Sequence, residues 1–204
     1  QGAHRINQAA IEMLPQLQRH QTQLAVVHQT GEADCAEVTQ AYEQHGVHAE
    51  VVPFLHDMAR RYHWADVIVC RAGASTLAEL TACGKPAILI PYPYAADNHQ
   101  WHNAMALQQQ GAARVIADAD LTGARLYAEI QDLLLHPEHL RQYAIHSQKL
   151  ARPAAARRGD RSLGRDARQD LPRRRARLLS RELSRHGGAR AHHRPVRAAA
   201  ALHL

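Results

Sequence analysis

The run Arg71-Ala72-Gly73-Ala74-Ser75-Thr76-Leu77-Ala78-Glu79 holds the residue types and spacing most able to do chemistry. Gly73, Ala74 and Ser75 let a backbone pass close to a ligand. A helix opening at Thr76 would aim unpaired N–H groups and a positive dipole end at whatever lies above the preceding strand. A diphosphate suits such a place. Glu79, one helical turn further on, is an acceptor placed for the paired hydroxyls of a ribose, the task of an acidic residue in other nucleotide-binding βαβ units. A plainer reading uses the same residues, with Ser75 or Thr76 as a helix N-cap and Glu79 as its capping-box partner or a solvated charge. Spacing alone leaves the two about level, because small-residue turns precede helices throughout α/β folds.

The elements that must position these residues follow from hydropathy. Val67 to Cys70 reads as an apolar strand, Arg71 to Ser75 as a turn, Thr76 to Ala82 as a helix stopped by Gly84, and Ala87 to Pro91 as a second apolar strand. That order is one βαβ unit. Upstream, Ile6, Ala10, Ile11, Leu14 and Leu17 predict a helix from about Ala3 to Gln18. A strand over Gln23 to His28, a helix over Ala33 to Gln44 closed by His45-Gly46, and a strand over Val47 to Pro53 come next. The side chains of Phe54 and Leu55, at the end of that strand, are expected in the core. His56-Asp57-Met58 opens a short helix carrying Tyr62 and Trp64 toward Asp66, which reads as a turn residue rather than an acid catalyst. Downstream, Pro91 and Pro93 break regular structure, and a helix starting near Asp97 or Asn98 carries Gln100, Trp101 and Asn103. Ala112 to Ile116 is a last strand, followed by helices from Asp120-Leu121-Thr122 to about Leu135 and from Pro137 to Leu150. Strands alternating with helices, without an internal repeat, predict an α/β fold with a Rossmann-like, doubly wound parallel sheet.

Charge divides the chain. Residues 1–150 hold 10 Lys and Arg against 15 Asp and Glu, whereas residues 151–204 hold 15 Arg, no Lys and 4 acids. The overall +6 is therefore a property of the tail, and the folded part has no field suited to nucleic acid, which is not expected as a partner. Cys35, Cys70 and Cys83 form an odd set without CxxC spacing and read as free thiols. His99 and His102 have HxxH spacing but no evident third ligand, so no metal is expected. No apolar run approaches the roughly 20 residues that a spanning helix needs. A cytoplasmic location is expected, with any membrane association peripheral.

Several separated motifs, in order along the chain, resemble the MurG-type UDP-N-acetylglucosamine transferases of glycosyltransferase family 28. They are Gln1-Gly2-Ala3, Phe54 with Leu55, the run Arg71 to Glu79, Gly84-Lys85-Pro86, and Asp97-Asn98-His99-Gln100 leading to Asn103. The likeness runs from residue 1 to about residue 156. It implies that residues 1–157 are the C-terminal, UDP-sugar-binding domain of a two-domain GT-B enzyme, with the first strand and a Gly-Gly-Ser turn missing before Gln1. The implied substrate contacts are Gln1, Gly2, Leu55 (through its backbone, to uracil), Ala74, Ser75, Thr76, Leu77, Ala78 and Glu79, with His99 and Gln100 toward the donor sugar. His99 departs from the family, which commonly has Gln there. An imidazole offers fewer simultaneous donors and acceptors than a carboxamide.

The activity implied is inverting transfer of N-acetylglucosamine from its UDP donor to lipid I, giving lipid II. That places the family in peptidoglycan and cell-wall synthesis, and so in cell shape and cell division. The resemblance puts the lipid acceptor and the catalytic base on an N-terminal domain docked at the cytoplasmic face of the inner membrane. No cofactor is expected, because a helix N-terminus beside the diphosphate stabilises part of the leaving group's charge without a metal, in keeping with an expected lack of an acidic DxD pair. On this reading the chain alone keeps weak UDP affinity and does not turn over. Another GT-B UDP-sugar transferase or epimerase, and a non-catalytic UDP-sugar-binding fragment, stay open as alternatives.

From Ala151 the pattern changes to Arg, Ala, Gly and His without sustained apolar periodicity. The segment 158–204 reads as a disordered basic tail, as a further domain, or as an out-of-frame continuation of a GC-rich gene. The third is preferred: Arg152-Pro153-Ala154-Ala155-Ala156-Arg157 begins the Ala-rich helix of the family before the pattern vanishes near Arg158.

Overall fold

The computed structural model describes residues 4–19 and 24–151, together with the backbone of residues 196–200. Two units divide the chain, residues 1–152 with 195–204, and residues 153–194. All described residues belong to the first.

Helix α1 (His4–Arg19) buries Ile6, Ala9, Ala10, Met13, Leu14 and Leu17, the i, i+3, i+4 spacing of one apolar face. Then come β1 (Leu24–Gln29), α2 (Cys35–Gln44), β2 (Ala49–Val52) and α3 (Met58–Trp64). The central unit is β3 (Val67–Cys70), α4 (Ala74–Cys83) and β4 (Ala87–Leu89). A 3-10 turn (Ala96–Asn98), α5 (His99–Gln109), β5 (Ala113–Val115), a second 3-10 turn (Asp118–Asp120), α6 (Gly123–Leu135) and α7 (Pro137–Lys149) follow, and β6 (Val196–Ala200) comes last.

Strand β3 is buried at every position, as expected of a strand covered on both faces. Its side chains alternate between two cores. Val67 and Val69 join α1, α2 and α6 residues such as Leu14, Val38 and Leu126, whereas Ile68 and Cys70 join Tyr62, Leu77, Leu80 and Ala104 on the opposite layer. The result is a three-layer α/β/α stack, each fully buried Ile or Leu contributing about 1.5–3 kcal/mol. Burial in this apolar strand pushes the Cys70 thiol up to about 12, so it stays protonated. Helix α4 ends as the sequence predicts, at Gly84. Its φ of +59° is the left-handed region that glycine adopts freely. Gly84 N–H donates to the Thr81 carbonyl at 3.1 Å and Lys85 N–H to that of Leu80 at 3.0 Å, closing the last turn.

The sheet order is β2-β1-β6-β3-β4-β5, with every neighbouring pair parallel. The chain winds outward from β1 to β2 on one side and from β3 to β4 to β5 on the other. Winding therefore reverses between β1 and β3, and a doubly wound sheet offers its ligand crevice above the carboxyl ends of the strands at that point.

From the sequence, a first strand is expected to be missing before Gln1 and 158–204 to be a disordered or out-of-frame tail; within that segment the structure describes one strand. Val196–Ala200 lies in the gap between β1 and β3, from Leu24↔Val196 to His28↔Ala200 on one side, and with Val67↔Ala198 and Ile68↔Ala199 on the other. Without it, β1 and β3 would each bury a row of unpaired backbone groups, and a short run with the sequence VRAAA supplies both ladders. The rest of that segment, like Gln1 and Gly2, lies outside the described residues.

Candidate functional site

The crevice above β3 is built from the turn leaving that strand. Arg71 and Ala72 are buried, and Gly73 takes φ −66° and ψ 146° as the N-cap of α4. The helix thus opens at Ala74, two residues before the sequence predicts, and neither Ser75 nor Thr76 is its cap. The reason is that the Gly73 carbonyl accepts from Leu77 N–H at 3.0 Å, so the first turn closes on backbone alone. No side chain caps the helix, and the N–H groups of Ala74, Ser75 and Thr76 have no acceptor among the described residues. Protein packing does not require glycine at 73 either. Its φ suits any residue, and a Cβ there would meet only Thr76 Oγ1, at 3.8 Å.

Ala74, Ser75 and Ala78 are exposed, whereas the Thr76 and Leu77 side chains are buried. Thr76 therefore offers a ligand its amide only, and the Leu77 amide is already engaged by Gly73. Glu79 sits three residues after Thr76 and four after Ser75, hence on their side of the helix one turn along. Its carboxylate is exposed, and Oε2 accepts from the Tyr62 hydroxyl at 3.0 Å. Burial, reinforced by that carboxylate, raises the Tyr62 phenol above its ordinary range, so it stays a donor.

Gln100, on the first turn of α5, has its carbonyl oxygen committed. Oε1 accepts from Ala72 N–H at 3.1 Å and from Tyr92 N–H at 3.0 Å, joining the β3 turn to the loop after β4. Two N–H donors on one oxygen fix the orientation of the amide, leaving Nε2 to serve a ligand. Asn103 reinforces the join by donating to the Ala72 carbonyl at 3.3 Å. His99 is exposed, and its Nδ1 lies 2.7 Å from the Ala96 carbonyl, an arrangement that needs a proton on Nδ1 and leaves Nε2 an acceptor in the neutral ring. Asp97 and Asn98 precede it with φ of +50° and +52°, a region that Asp and Asn tolerate better than most residues.

At the neighbouring strand end, Leu55 is buried as expected, and its N–H donates to Gln29 Oε1 at 2.9 Å. Only its carbonyl is left to meet a base. Phe54 is not in the core: it is 54% exposed, with its ring edge-on to His56 at 4.9 Å. Strand β2 ends at Val52, earlier than its apolar pattern suggests, so Phe54 lies past the covered layer.

Other contacts that hold this geometry carry no sequence signal. Arg71 is buried, donates to the carbonyls of Ile90 and Pro91 at 3.1 and 3.4 Å, pairs with Asp118 at 2.5 Å and lies over the Tyr92 ring. It ties together the ends of β3 and β4 and the turn after β5. Asp118-Ala119-Asp120 has DxD spacing, which corrects the expectation that the chain lacks such an acidic pair, and Asp118 there is engaged by Arg71 and Arg5. Behind β1, Asn7 donates to the Thr30 carbonyl at 2.9 Å and to Asp34 at 2.7 Å, and its Oδ1 lies 3.0 Å from the buried His28. Burial lowers the His28 pKa to about 4, with Asp34 opposing.

Comparisons with known proteins agree with this architecture. The family model described as "Glycosyltransferase family 28 C-terminal domain" matches residues 1–158. A Geobacter metallireducens protein is 52% identical over 155 residues, 76% of this chain and 43% of its own length. An Anaeromyxobacter protein is 50% identical over 157 residues, 77% of this chain and 41% of its own length. Both are named UDP-N-acetylglucosamine–N-acetylmuramyl-(pentapeptide) pyrophosphoryl-undecaprenol N-acetylglucosamine transferase. The crystal structure of Acinetobacter baumannii MurG superposes with a TM-score of 0.66 at 31% identity, covering 76% of this chain and 44% of that one. The chain thus spans less than half the length of the curated relatives it matches. By this family match, which covers the described residues of the βαβ unit and everything before them, the chain belongs to glycosyltransferase family 28 as its C-terminal domain.

Proposed function

We propose that these residues bind the UDP-N-acetylglucosamine donor of an inverting glycosyltransferase that adds N-acetylglucosamine to lipid I, giving lipid II for peptidoglycan. The observation that carries the proposal is the start of α4: three successive amides without an acceptor among the described residues, beneath a glycine N-cap that the surrounding packing does not require. The diphosphate rests on the amides of Ala74, Ser75 and Thr76, at the positive end of the helix dipole. As the acceptor hydroxyl attacks the anomeric carbon and the bond to UDP breaks, charge grows on the leaving diphosphate. Fixed amides stabilise it there without reorganising.

Glu79 accepts from the ribose hydroxyls, the Leu55 carbonyl accepts from the uracil N–H, and Gln100 Nε2 with His99 Nε2 meets the sugar hydroxyls. The lipid acceptor and the base that activates it are held outside the described residues, at the cytoplasmic face of the membrane. The names of the relatives support the donor and acceptor classes.

Calorimetric titration of the 204-residue chain with UDP, uridine and GDP tests the reading. UDP is expected to bind, uridine at least about tenfold more weakly because it forgoes the charge-assisted bonds at the helix start, and GDP more weakly because its larger base carries its ring N–H further from the ribose than the Leu55 carbonyl is assigned to meet. Equal affinity for UDP and uridine would remove the diphosphate assignment.

A further inference from the structure

We propose that Tyr62 is a positioning residue for the donor's ribose: its phenol holds the Glu79 carboxylate in the orientation that receives the sugar hydroxyls. This rests on the reading of Glu79 given above and extends it to a residue on a different element, α3.

The geometry supplies the argument. Tyr62 is 2% exposed, its ring packed in the core layer with Leu77, Leu80 and Cys70, so its position is fixed by packing. Its hydroxyl reaches Glu79 Oε2 at 3.0 Å, at the boundary between that core and the exposed face of α4. The rotamer spread of an exposed glutamate is entropy that binding must offset in ordering the side chain. A rigid phenol donor restricts that spread beforehand. One such bond leaves a carboxylate with further lone pairs, so orienting the group does not exhaust it as an acceptor. A buried tyrosine also needs a partner for its own sake, and the two roles differ in what they do to ligands. A structural role affects every ligand alike, whereas a positioning role affects only ligands that carry the ribose hydroxyls.

The test titrates the full chain and its Tyr62→Phe and Glu79→Ala variants with UDP and with 2′,3′-dideoxy-UDP. Tyr62→Phe is expected to weaken UDP roughly 3- to 10-fold, the effect of one hydrogen bond to a charged group, and to leave the dideoxy nucleotide unchanged. Glu79→Ala is expected to act on UDP selectively and more strongly. In the double variant, the loss of the phenol hydroxyl is expected to have no further effect, because the two groups act as one unit. Equal weakening of both nucleotides by Tyr62→Phe, or additive losses in the double variant, would overturn the positioning role while leaving Glu79 in place. No selectivity in Glu79→Ala would bring down the ribose assignment and this proposal together. The double-variant comparison stands even where Tyr62→Phe lowers stability, since affinity is read from the folded fraction.

Discussion

Ser75→Asp separates a phosphate site from an ordinary helix start, because it moves stability and binding in opposite directions. Ser75 is exposed on the first turn of α4, whose N-cap brings no side chain to the helix end. A carboxylate placed there meets the positive end of the helix dipole and gains about 0.3–1 kcal/mol, which raises the unfolding midpoint by about 1–4 °C in a domain of this size. The same carboxylate sits against the amides assigned to the diphosphate. Two unit charges about 5 Å apart repel by ~3 kcal/mol at an effective dielectric constant near 20 and by ~0.8 kcal/mol in bulk water. A surface crevice falls between these limits, so UDP affinity is expected to drop by about 10- to 100-fold. Screening shrinks the effect within a Debye length of about 8 Å at physiological salt, so the calorimetric titration belongs at low ionic strength. Ser75→Asn serves as the neutral control and is expected to bind within about threefold of the parent. If Ser75→Asp raises the midpoint and binds UDP as the parent does, the amides at Ala74 to Thr76 only begin a helix.

Three further expectations concern the scaffold. Because burial depresses the His28 pKa from about 6.5 in the unfolded chain to about 4, the unfolded state binds the extra proton first as pH falls. Stability is therefore full above pH ~6.5 and declines between ~6.5 and ~4, by up to about 3 kcal/mol. Urea midpoints across that range check the decline, and a His28→Gln variant that keeps the same slope would contradict it. Asp118→Ala leaves the buried Arg71 without its carboxylate and is expected to cost about 3–5 kcal/mol in denaturant unfolding; a loss below about 1 kcal/mol would show that the carbonyls of Ile90 and Pro91 suffice. Ala198→Pro strikes the one described strand position paired with both Val26 and Val67, and is expected to cost about 3 kcal/mol or more. An unchanged unfolding midpoint would mean that Val196–Ala200 does not complete the sheet.

The βαβ unit was legible because its apolar runs, small-residue turn and Gly84 stop are all local signals. The alternation of strands and helices likewise gave the layer order. Boundaries moved where backbone alone decided them: α4 opens at Ala74 because the Gly73 carbonyl closes the turn, which side-chain chemistry does not announce. The run that carries the candidate site could be named from spacing and resemblance, yet its supports could not. Tyr62, Gln29 and Asp118 act on residues 17, 26 and 47 positions away with side chains of no distinctive pattern, and nothing in the run itself says that Arg71 holds the carbonyls of Ile90 and Pro91. The central strand was not legible at all. Nothing local in VRAAA marks it as core, and only the unpaired flanks of β1 and β3, which exist after folding, give it a place.

The most direct test of the donor site is a titration of the 15N-labelled chain with UDP, following the backbone amide resonances of Ala74, Ser75 and Thr76, with uridine as the comparison. Large downfield shifts of these three protons with UDP, saturating together and absent with uridine, are what a diphosphate seated on the helix start produces. Saturable UDP binding that leaves all three unmoved would place the diphosphate elsewhere and contradict the account.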